Sequence, residues 1–255
     1  MRNIVQTLIV VLILLVLVAL FAPVAVKVRE AAARTQCTNN LKQLGLAVWN
    51  YQDTYNKFPR AALPNSDLPP ERRQSWISEI VPFVEAGSLY NKIDHKKAWD
   101  DEVNRFAALT TYRILHCPAY PERPPVSTFF STHYLGIAGI GVDAIQLPLE
   151  DGRAGFFGYD RTLKSEDLAD HTSSILMSAE TSHANGAWTA AGVPTTRGLE
   201  PNASPYFGLN GQFGGNHPHG ANTAFADGSV RFIEESIDPA AWEAMTTLSG
   251  KGNQE

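Results

Sequence analysis

Apolar and polar positions divide the chain into a uniformly apolar start and a mixed remainder. The segment from Asn3 to Val26 carries no charge and consists mostly of Leu, Val, Ile and Ala. At about 1.5 Å rise per residue, a helix of this length reaches roughly 36 Å, more than the about 30 Å hydrocarbon core of a bilayer. Helix is also the conformation in which a lone segment satisfies its peptide groups without water. The pattern predicts a membrane-spanning helix.

Two other interpretations of this segment are weaker. A cleaved secretory signal has an apolar core of about 7 to 15 residues followed by small residues at its cleavage site. Here the apolar run is longer, Pro23 follows it, and no clean A-x-A pattern lies beside it. A buried helix of a soluble protein carries polar residues on one face, and none occur from Leu8 to Ala22.

The helical pattern continues beyond the apolar segment. Residues 27 to 56 contain one glycine and no proline and are rich in good helix formers. Apolar positions recur there at spacings of three and four, which predicts one buried stripe, with polar positions left exposed. The stripe is Leu41, Leu44, Val48, Tyr51 and Tyr55, and the exposed positions are Arg34, Asn39, Lys42 and Asp53. Pro23 removes one helical hydrogen bond and is expected to bend the axis, and Lys57-Phe58-Pro59 ends the helix.

Shorter elements follow within residues 57 to 255, which are predicted to form one globular domain. Residues 59 to 74 are rich in proline and polar residues and predict a surface loop. Residues 75 to 93 predict an amphipathic helix, kinked or split by Pro82, and residues 98 to 118 a third helix that stops at Cys117-Pro118. The expected buried face of the middle helix is Trp76, Ile80, Phe83 and Leu89.

The second half of the chain is predicted to form strands and loops. The best strand candidates are Ser173 to Glu180, Asn222 to Ala226 and Ser229 to Ile233. The last two flank Asp227-Gly228, and such a pair between alternating runs is a strong hairpin signal. In the final strand Val230 and Phe232 should face one side and Arg231 and Ile233 the other.

Composition and motifs narrow the function. The formal net charge is -5 and no basic run exceeds two residues, so nucleic acid is a poor candidate partner. The sequence has no G-x-S-x-G, H-E-x-x-H, P-loop or G-x-G-x-x-G motif, although catalytic triads are defined by geometry. We therefore expect no enzyme activity and no cofactor.

One group of residues has metal-ligand character. His217, His219 and Asp227 could contribute two imidazoles and a carboxylate to a zinc-like ion, although no third firm ligand is marked. The better-motivated interpretation is structural: Asp227 caps its own turn, Gly228 accepts a positive φ, and His217 binds loop carbonyls. Glu180 ends an apolar run, which hints at an internal carboxylate, but more often marks where a strand reaches water.

Several ordered motifs resemble the DUF1559 family of pilin-like proteins. They include the apolar span ending in proline, REAAARTQCTNNLKQLGLAVWNYQDTYNKFP, SWISEIVPFVEAGSLYN, HCP, GFFGYDRTLKSEDLADHTSSILMSAET and NHPHGANTAFADGSVRFI. The closing signature is a His, nine residues and Asp-Gly, which here is His217 followed by Asp227-Gly228. The resemblance spans nearly the whole chain and carries no assigned activity.

The resemblance implies an α+β fold of the pilin or pseudopilin plan. One long helix would lie in the membrane with its first half, to residue 26, and pack its second half on an antiparallel sheet. The globular part would lie outside the cytoplasmic membrane, with the N-terminus inside. The Lys and Arg count opposes this orientation, since Arg2 stands against Lys27, Arg29 and Arg34.

An exterior location agrees with a disulfide between Cys37 and Cys117. These are the two cysteines of the chain. A bridge closing about 80 residues would stabilise the fold by about 4 kcal/mol in the chain-entropy model. The alternative is a pair of buried thiols.

The first residues depart from the pilin pattern. With Pro23 aligned to the family's proline, Arg2 stands where the family has Phe and Gln6 where it has the Glu that pairs with a neighbouring N-terminus. We therefore expect an uncleaved anchor that does not polymerise as pilins do, unless the start codon is misassigned.

The leading hypothesis is a single-pass, pilin-like structural or interaction protein of the cell envelope. Its partners would be the bilayer, through Asn3 to Val26, and envelope or secretion-apparatus proteins. The alternative is an extracytoplasmic metal-dependent enzyme or ligand-binding module centred on His217, His219 and Asp227.

Overall fold

A long helix and a mixed sheet dominate the computed structural model, which describes residues 2–84, 87–120, 129–201, 205–208, 211–215 and 217–250. The α-helices are α1 (Arg2–Tyr55), α2 (Trp76–Ile80), α3 (Gly87–Tyr90), α4 (Arg105–Ala108) and α5 (Pro239–Thr246). The strands are β1 (Tyr134–Ile140), β2 (Leu176–Glu180), β3 (Thr196–Leu199), β4 (Gly220–Phe225) and β5 (Val230–Glu234). This arrangement confirms the α+β prediction.

Helix α1 runs without interruption from the apolar segment into the domain. Its large apolar side chains from Ile4 to Val28 are exposed, and among the described residues α1 is the one helix long and apolar enough to cross a membrane. Pro23 lies inside the helix; the bend expected there stays a prediction. The chain thus has a candidate single-pass membrane anchor continuous with its folded part.

The predicted stripe on α1 is confirmed in four of its five positions. Leu41, Leu44, Val48 and Tyr51 are buried, while the positions expected to be polar and solvated are exposed. The prediction that Tyr55 is buried is wrong, because this residue, in the last turn of the helix, is 53% exposed. There the chain leaves the sheet, and the Tyr55 ring rests on Tyr51 at 4.6 Å between centroids instead of entering the core.

The sheet has the strand order β3-β1-β2-β4-β5. Strands β1, β2, β4 and β5 pair antiparallel in sequence, but β3 pairs parallel with β1. The expectation of a wholly antiparallel sheet is therefore wrong at this edge. The connection from β2 to β3, residues 181 to 195, is long enough to pass β1 and to place β3 at its far edge, parallel to β1.

Each face of the sheet carries its own apolar cluster. On one face, residues of α1 such as Leu44 and Val48 pack with Met177 of β2 and Ala224 of β4. On the other face, Trp242 of α5 packs with residues of the sheet that include Leu176 and Phe225. Helix α1 is therefore the layer that covers one sheet face.

The predicted hairpin forms between β4 and β5. Ala224 pairs with Val230, and Gly228 has φ of +80°, a conformation that glycine accepts without strain. Asp227 accepts a hydrogen bond from the Ser229 amide at 2.8 Å, which confirms its role as a turn cap. The loop also includes Ala226, and this geometry of a turn followed by a left-handed glycine is the common alternative to the tighter turn. Val230 joins the α1-side cluster and Ile233 the opposite one, as the alternation predicts.

The short helices differ from their predicted lengths. Helix α2 ends at Ile80, and Pro82 lies in a 3-10 turn from Val81 to Phe83, so the predicted split at this proline is confirmed. Trp76 and Ile80 are buried, while Phe83 and Leu89 are partly buried against the same core. Residues 85 and 86 of this predicted helix lie outside the described part of the chain.

The predicted third helix over residues 98 to 118 is wrong. Only Arg105–Ala108 is α-helical there, followed by a 3-10 turn at Arg113–Leu115. The side chain of Asn104 bonds the Asp94 amide and the carbonyls of Asp94 and Ala98. Such local bonds offer the backbone a loop conformation in competition with helix.

The apolar alternation does not predict strands β1 and β3, because both contain glycine. In β1 the glycines break the apolar alternation, yet they are needed where other backbone approaches. Gly139 has φ of +116°, and a Cβ placed on it would meet the Arg153 carbonyl oxygen at 1.9 Å. It lies at the bulge in the pairing of β1 with β3.

Two leucines of α1 test whether its stripe holds the helix on the sheet. We expect Leu44→Ala to lower the free energy of unfolding by about 3 kcal/mol, because it leaves a cavity in a closed core. The matched control is Leu46→Ala on the same helix, where the side chain is 62% exposed and the expected change is close to zero. Chemical unfolding of the detergent-solubilised chain measures both; equal losses would show that the stripe does not face the core.

A half-buried carboxylate adds a pH-dependent contact between α1 and α2. Glu79 accepts hydrogen bonds from the Tyr51 hydroxyl at 3.1 Å and the Arg60 amide at 3.3 Å. Burial raises the pKa of Glu79 to about 7 from 4.5, more than these bonds lower it. The folded state therefore binds the proton more tightly than the unfolded chain. The contribution of protonated Glu79 to the free energy of unfolding is therefore fully present below the pKa of the unfolded chain, and it is lost as pH rises through about 7.

Glu79→Gln should remove this pH dependence, because glutamine has a similar shape, keeps one of the two acceptor oxygens and does not titrate. We expect the free energy of unfolding of the variant, relative to wild type, to rise by about 3 kcal/mol as pH increases from about 4.5 to about 7. Unfolding curves at several pH values measure this difference. The exposed Glu102→Gln is the control, and a flat difference for both variants would contradict the prediction.

Candidate functional site

The three candidate metal ligands, for which a structural role was the favoured interpretation, do not meet. His217 and Asp227 lie at opposite ends of β4, and Asp227 is exposed at the hairpin turn. The His219 side chain is 84% exposed and contacts Glu235 at 3.2 Å. The alternative centred on this group therefore has no geometric basis in the described part of the chain.

Glu180 is buried, so the interpretation that it marks a strand reaching water is wrong. It ends β2 on the face that α1 covers, with a side chain that is 0% exposed. Its Oε2 atom accepts hydrogen bonds from the Asn222 backbone amide at 2.8 Å and the Asn222 side-chain amide at 3.0 Å. Asn222 lies on the neighbouring strand β4 and its Oδ1 atom accepts a bond from Thr38 of α1 at 3.0 Å. The carboxylate is therefore held by the sheet and, through Asn222, by the helix.

Cys37 and Cys117 come together as the sequence predicts, but as free thiols. Both are buried, and their Sγ atoms lie 2.7 Å apart. Cys37 is carried by α1, and Cys117 follows the 3-10 turn at Arg113–Leu115. The disulfide between them stays a prediction.

Two contacts fix the loop that carries Cys117. Its backbone amide donates to His133 Nδ1 at 2.9 Å, and the Asn40 side chain of α1 donates to the His116 carbonyl at 3.1 Å. Burial, together with the nearby His116, lowers the pKa of His133 to about 3, so this imidazole is neutral and can accept. The Cys117 thiol is thus positioned by Asn40 of α1 and by His133, the residue before β1.

His217 completes a cluster with the two thiols and Glu180. Its Nε2 atom lies 3.5 Å from Cys117 Sγ and 3.6 Å from Glu180 Oε1. The potential ligand atoms of all four residues lie within 4.8 Å of one another. The expectation that His217 binds loop carbonyls is not met, because within the described residues its Nδ1 atom is buried without a hydrogen-bond partner.

The electrostatics of the cluster follow from burial and close contact. The hydrogen bond with Cys117 and burial raise the pKa of the Cys37 thiol, so it stays protonated. Burial alone would lower the pKa of His217, but contacts with Cys37 and Glu180 and the negative charge of Glu180 raise it to about 9. In the structure as it stands, a cationic imidazole thus balances a buried carboxylate.

The cluster is closed to solvent. Cys37 and Cys117 are 0% exposed, and the side chains of His217 and Glu180 are 1% and 0% exposed. An open cleft of about 700 Å³ lies elsewhere, and it is lined by residues 70 to 71, 146 to 150 and 159 to 162. The four residues offer two sulfurs, an imidazole and a carboxylate, a donor set that suits zinc, without access for a substrate.

The sequence pointed to every member of the cluster and paired Cys37 with Cys117, but it did not bring Glu180 or His217 to that pair. It placed His217 with nearby residues, whereas its partners come from α1, from β2 and from the loop at Cys117. The pairing of Ala179 with Thr223 sets Glu180 beside Asn222. Knowledge that β2 pairs with β4 would have revealed the group, but the sequence does not show which strands are neighbours.

Asn222 tests how the buried carboxylate is held. We expect Asn222→Asp to lower the free energy of unfolding at neutral pH by about 3 kcal/mol, because it replaces a donor to Glu180 with a second buried negative charge. Asn39→Asp, the same change at an exposed position of α1, should have little effect. Chemical unfolding measures both, and a loss of similar size in the two variants would contradict this account.

Comparison with known proteins identifies the family. No curated protein and no solved structure matches the chain. A family model described as "Protein of unknown function (DUF1559)" matches residues 26–200 and 185–240. These ranges cover most of the 255 residues and contain all four members of the buried cluster. The chain therefore belongs to the DUF1559 family.

Proposed function

We propose that this protein is a single-pass, pilin-like component of the cell envelope that acts through contacts with other proteins and not through catalysis. Its N-terminus would lie in the cytoplasm and its folded domain outside the cytoplasmic membrane. Its partners would be the bilayer and other envelope or secretion-apparatus proteins.

The continuity of α1 is the observation that carries the proposal. The same helix exposes apolar side chains on all sides over its first half and buries one stripe under the sheet in its second half. A helix that is apolar all round is stable in a lipid environment, and one with a single apolar stripe is stable on a protein surface. The domain would thus be held at a fixed position beside the membrane.

The closed state of the cysteine, histidine and glutamate cluster supports a non-catalytic role. A catalytic group must lie within hydrogen-bond reach of a substrate atom. Cys37 lies on α1 and the other three side chains are buried around it, so a substrate could reach the cluster only after the domain opens locally. A structural role for the cluster needs no such opening.

Membrane topology tests the proposal. The full chain with a C-terminal tag is expressed in a bacterial host, and its domain is probed with protease in intact spheroplasts and in inverted vesicles. We expect alkaline-resistant membrane association, with digestion in spheroplasts and protection in inverted vesicles. Digestion in the inverted vesicles alone would refute the exterior location.

A pair of variants on α1 separates insertion from other effects. The double variant Leu12→Arg and Leu15→Arg should move the chain out of the membrane fraction, because each charge costs about 3 kcal/mol near the bilayer centre. Gln43→Arg and Leu46→Arg place the same charges on the exposed part of α1 beyond the span and should leave it there. Crosslinking of the full chain in membranes then tests for protein partners, and recovery of the monomer alone would count against an interaction role.

A further inference from the structure

We propose that the reduced form of this protein binds one zinc ion through Cys37, Cys117, Glu180 and His217. The ion would join α1 to the sheet from the inside of the domain. This site lies inside the domain and outside the membrane anchor, so the proposal does not depend on the function proposed above.

The donor set and its spacing suit a structural zinc site. Structural zinc is held by four ligands, mostly sulfur and nitrogen, with Zn–S bonds of about 2.3 Å and Zn–N or Zn–O bonds of about 2.0 to 2.2 Å. Neighbouring ligand atoms in such a tetrahedron lie about 3.3 to 3.8 Å apart. The contacts of His217 Nε2 with Cys117 Sγ at 3.5 Å and with Glu180 Oε1 at 3.6 Å fall in this range.

Glu180 supplies an independent sign of a missing ligand. Its Oε2 atom has two hydrogen-bond donors from Asn222. Its Oε1 atom is buried and lies 3.6 Å from His217 Nε2, just beyond hydrogen-bond distance, so it accepts no hydrogen bond within the described residues although it borders the cluster. A buried carboxylate oxygen without a donor is costly, and a cation at the centre of the cluster would satisfy it. The Asn222 contacts would orient the ligand, as residues around metal ligands commonly do.

The two sulfurs must separate for the ion to enter. They lie 2.7 Å apart, whereas tetrahedral zinc holds two sulfurs about 3.8 Å apart. Cys37 lies in a long helix and the backbone at Cys117 is held by His133 and Asn40, so the change of about 1 Å falls on the two side chains. Zinc then displaces one proton from each thiol, and one from the His217 ring where that ring is cationic, to water.

Zinc binding and the Cys37–Cys117 disulfide are alternative states of the same sulfurs. An external protein disulfide could take two electrons from the thiolates and, with two protons from water, become a dithiol. The Sγ–Sγ bond would then form and zinc would leave. The test must therefore be made on the reduced chain.

Cobalt(II) is the probe, because thiolate ligation gives it charge-transfer absorption that oxygen or nitrogen ligands do not. The full chain is unfolded in denaturant, and a phosphine reductant keeps its cysteines reduced. It is then refolded into detergent with cobalt(II) in the absence of oxygen. We expect one cobalt ion per chain, thiolate-to-cobalt absorption, stoichiometric displacement by zinc, and a zinc-dependent rise in the thermal unfolding midpoint.

Variants and the oxidised chain separate this site from nonspecific binding. Cys37→Ser and His217→Gln should each lose the absorption or bind metal far more weakly, while the exposed His219→Gln should bind as wild type does. Wild type oxidised to the disulfide is a folded control with unchanged sequence and should bind no cobalt. Refolded, reduced wild type without the absorption, or a Cys37→Ser variant that binds cobalt with the affinity and absorption of wild type, would overturn the proposal.

Discussion

The structure depends on one helix that must be stable in two surroundings. Over its first half α1 is apolar on every side, and over its second half it keeps an apolar stripe of which Leu41 to Tyr51 is the buried part. Because α1 is one continuous helix, its second half can leave the sheet only by giving up the packing of the whole stripe. The core on this side of the sheet, the burial of Glu180 and the meeting of the two cysteines all follow from that contact.

The same contact explains why polar chemistry lies inside this domain. A carboxylate at the end of a strand is normally solvated, but α1 covers β2 at that point and removes Glu180 from water. Burial is tolerated because Asn222 donates twice and His217 lies 3.6 Å away with the opposite charge. Replacing one member of such a group leaves the others buried without compensation, which costs more than the group contributes as a whole.

Sequence patterns predicted the elements whose signals are local. The apolar span, the stripe from Leu41 to Tyr51 and the β4–β5 hairpin each depend on residues close together in the chain. Patterns failed at β1 because distant backbone decides the outcome there, since the Arg153 carbonyl approaches Gly139. They failed at residues 98 to 118 for another reason: the side chain of Asn104 bonds nearby backbone in competition with helix, which apolar periodicity does not reveal. The cluster was only partly predictable, because its members meet through strand register and helix docking, neither of which sequence spacing encodes.

Cys37 is the first residue of α1, counted from the membrane, that the domain fully buries. A mechanical force applied through the anchor would therefore meet the closed interior of the domain first at this residue, just beyond the surface contact of Arg34 with Phe232. Along the helix axis that force would shear the stripe as a whole, whereas a sideways force would peel α1 from the sheet beginning at the cluster. A disulfide or a bound ion at the two sulfurs would therefore strengthen the joint at the place where such peeling begins.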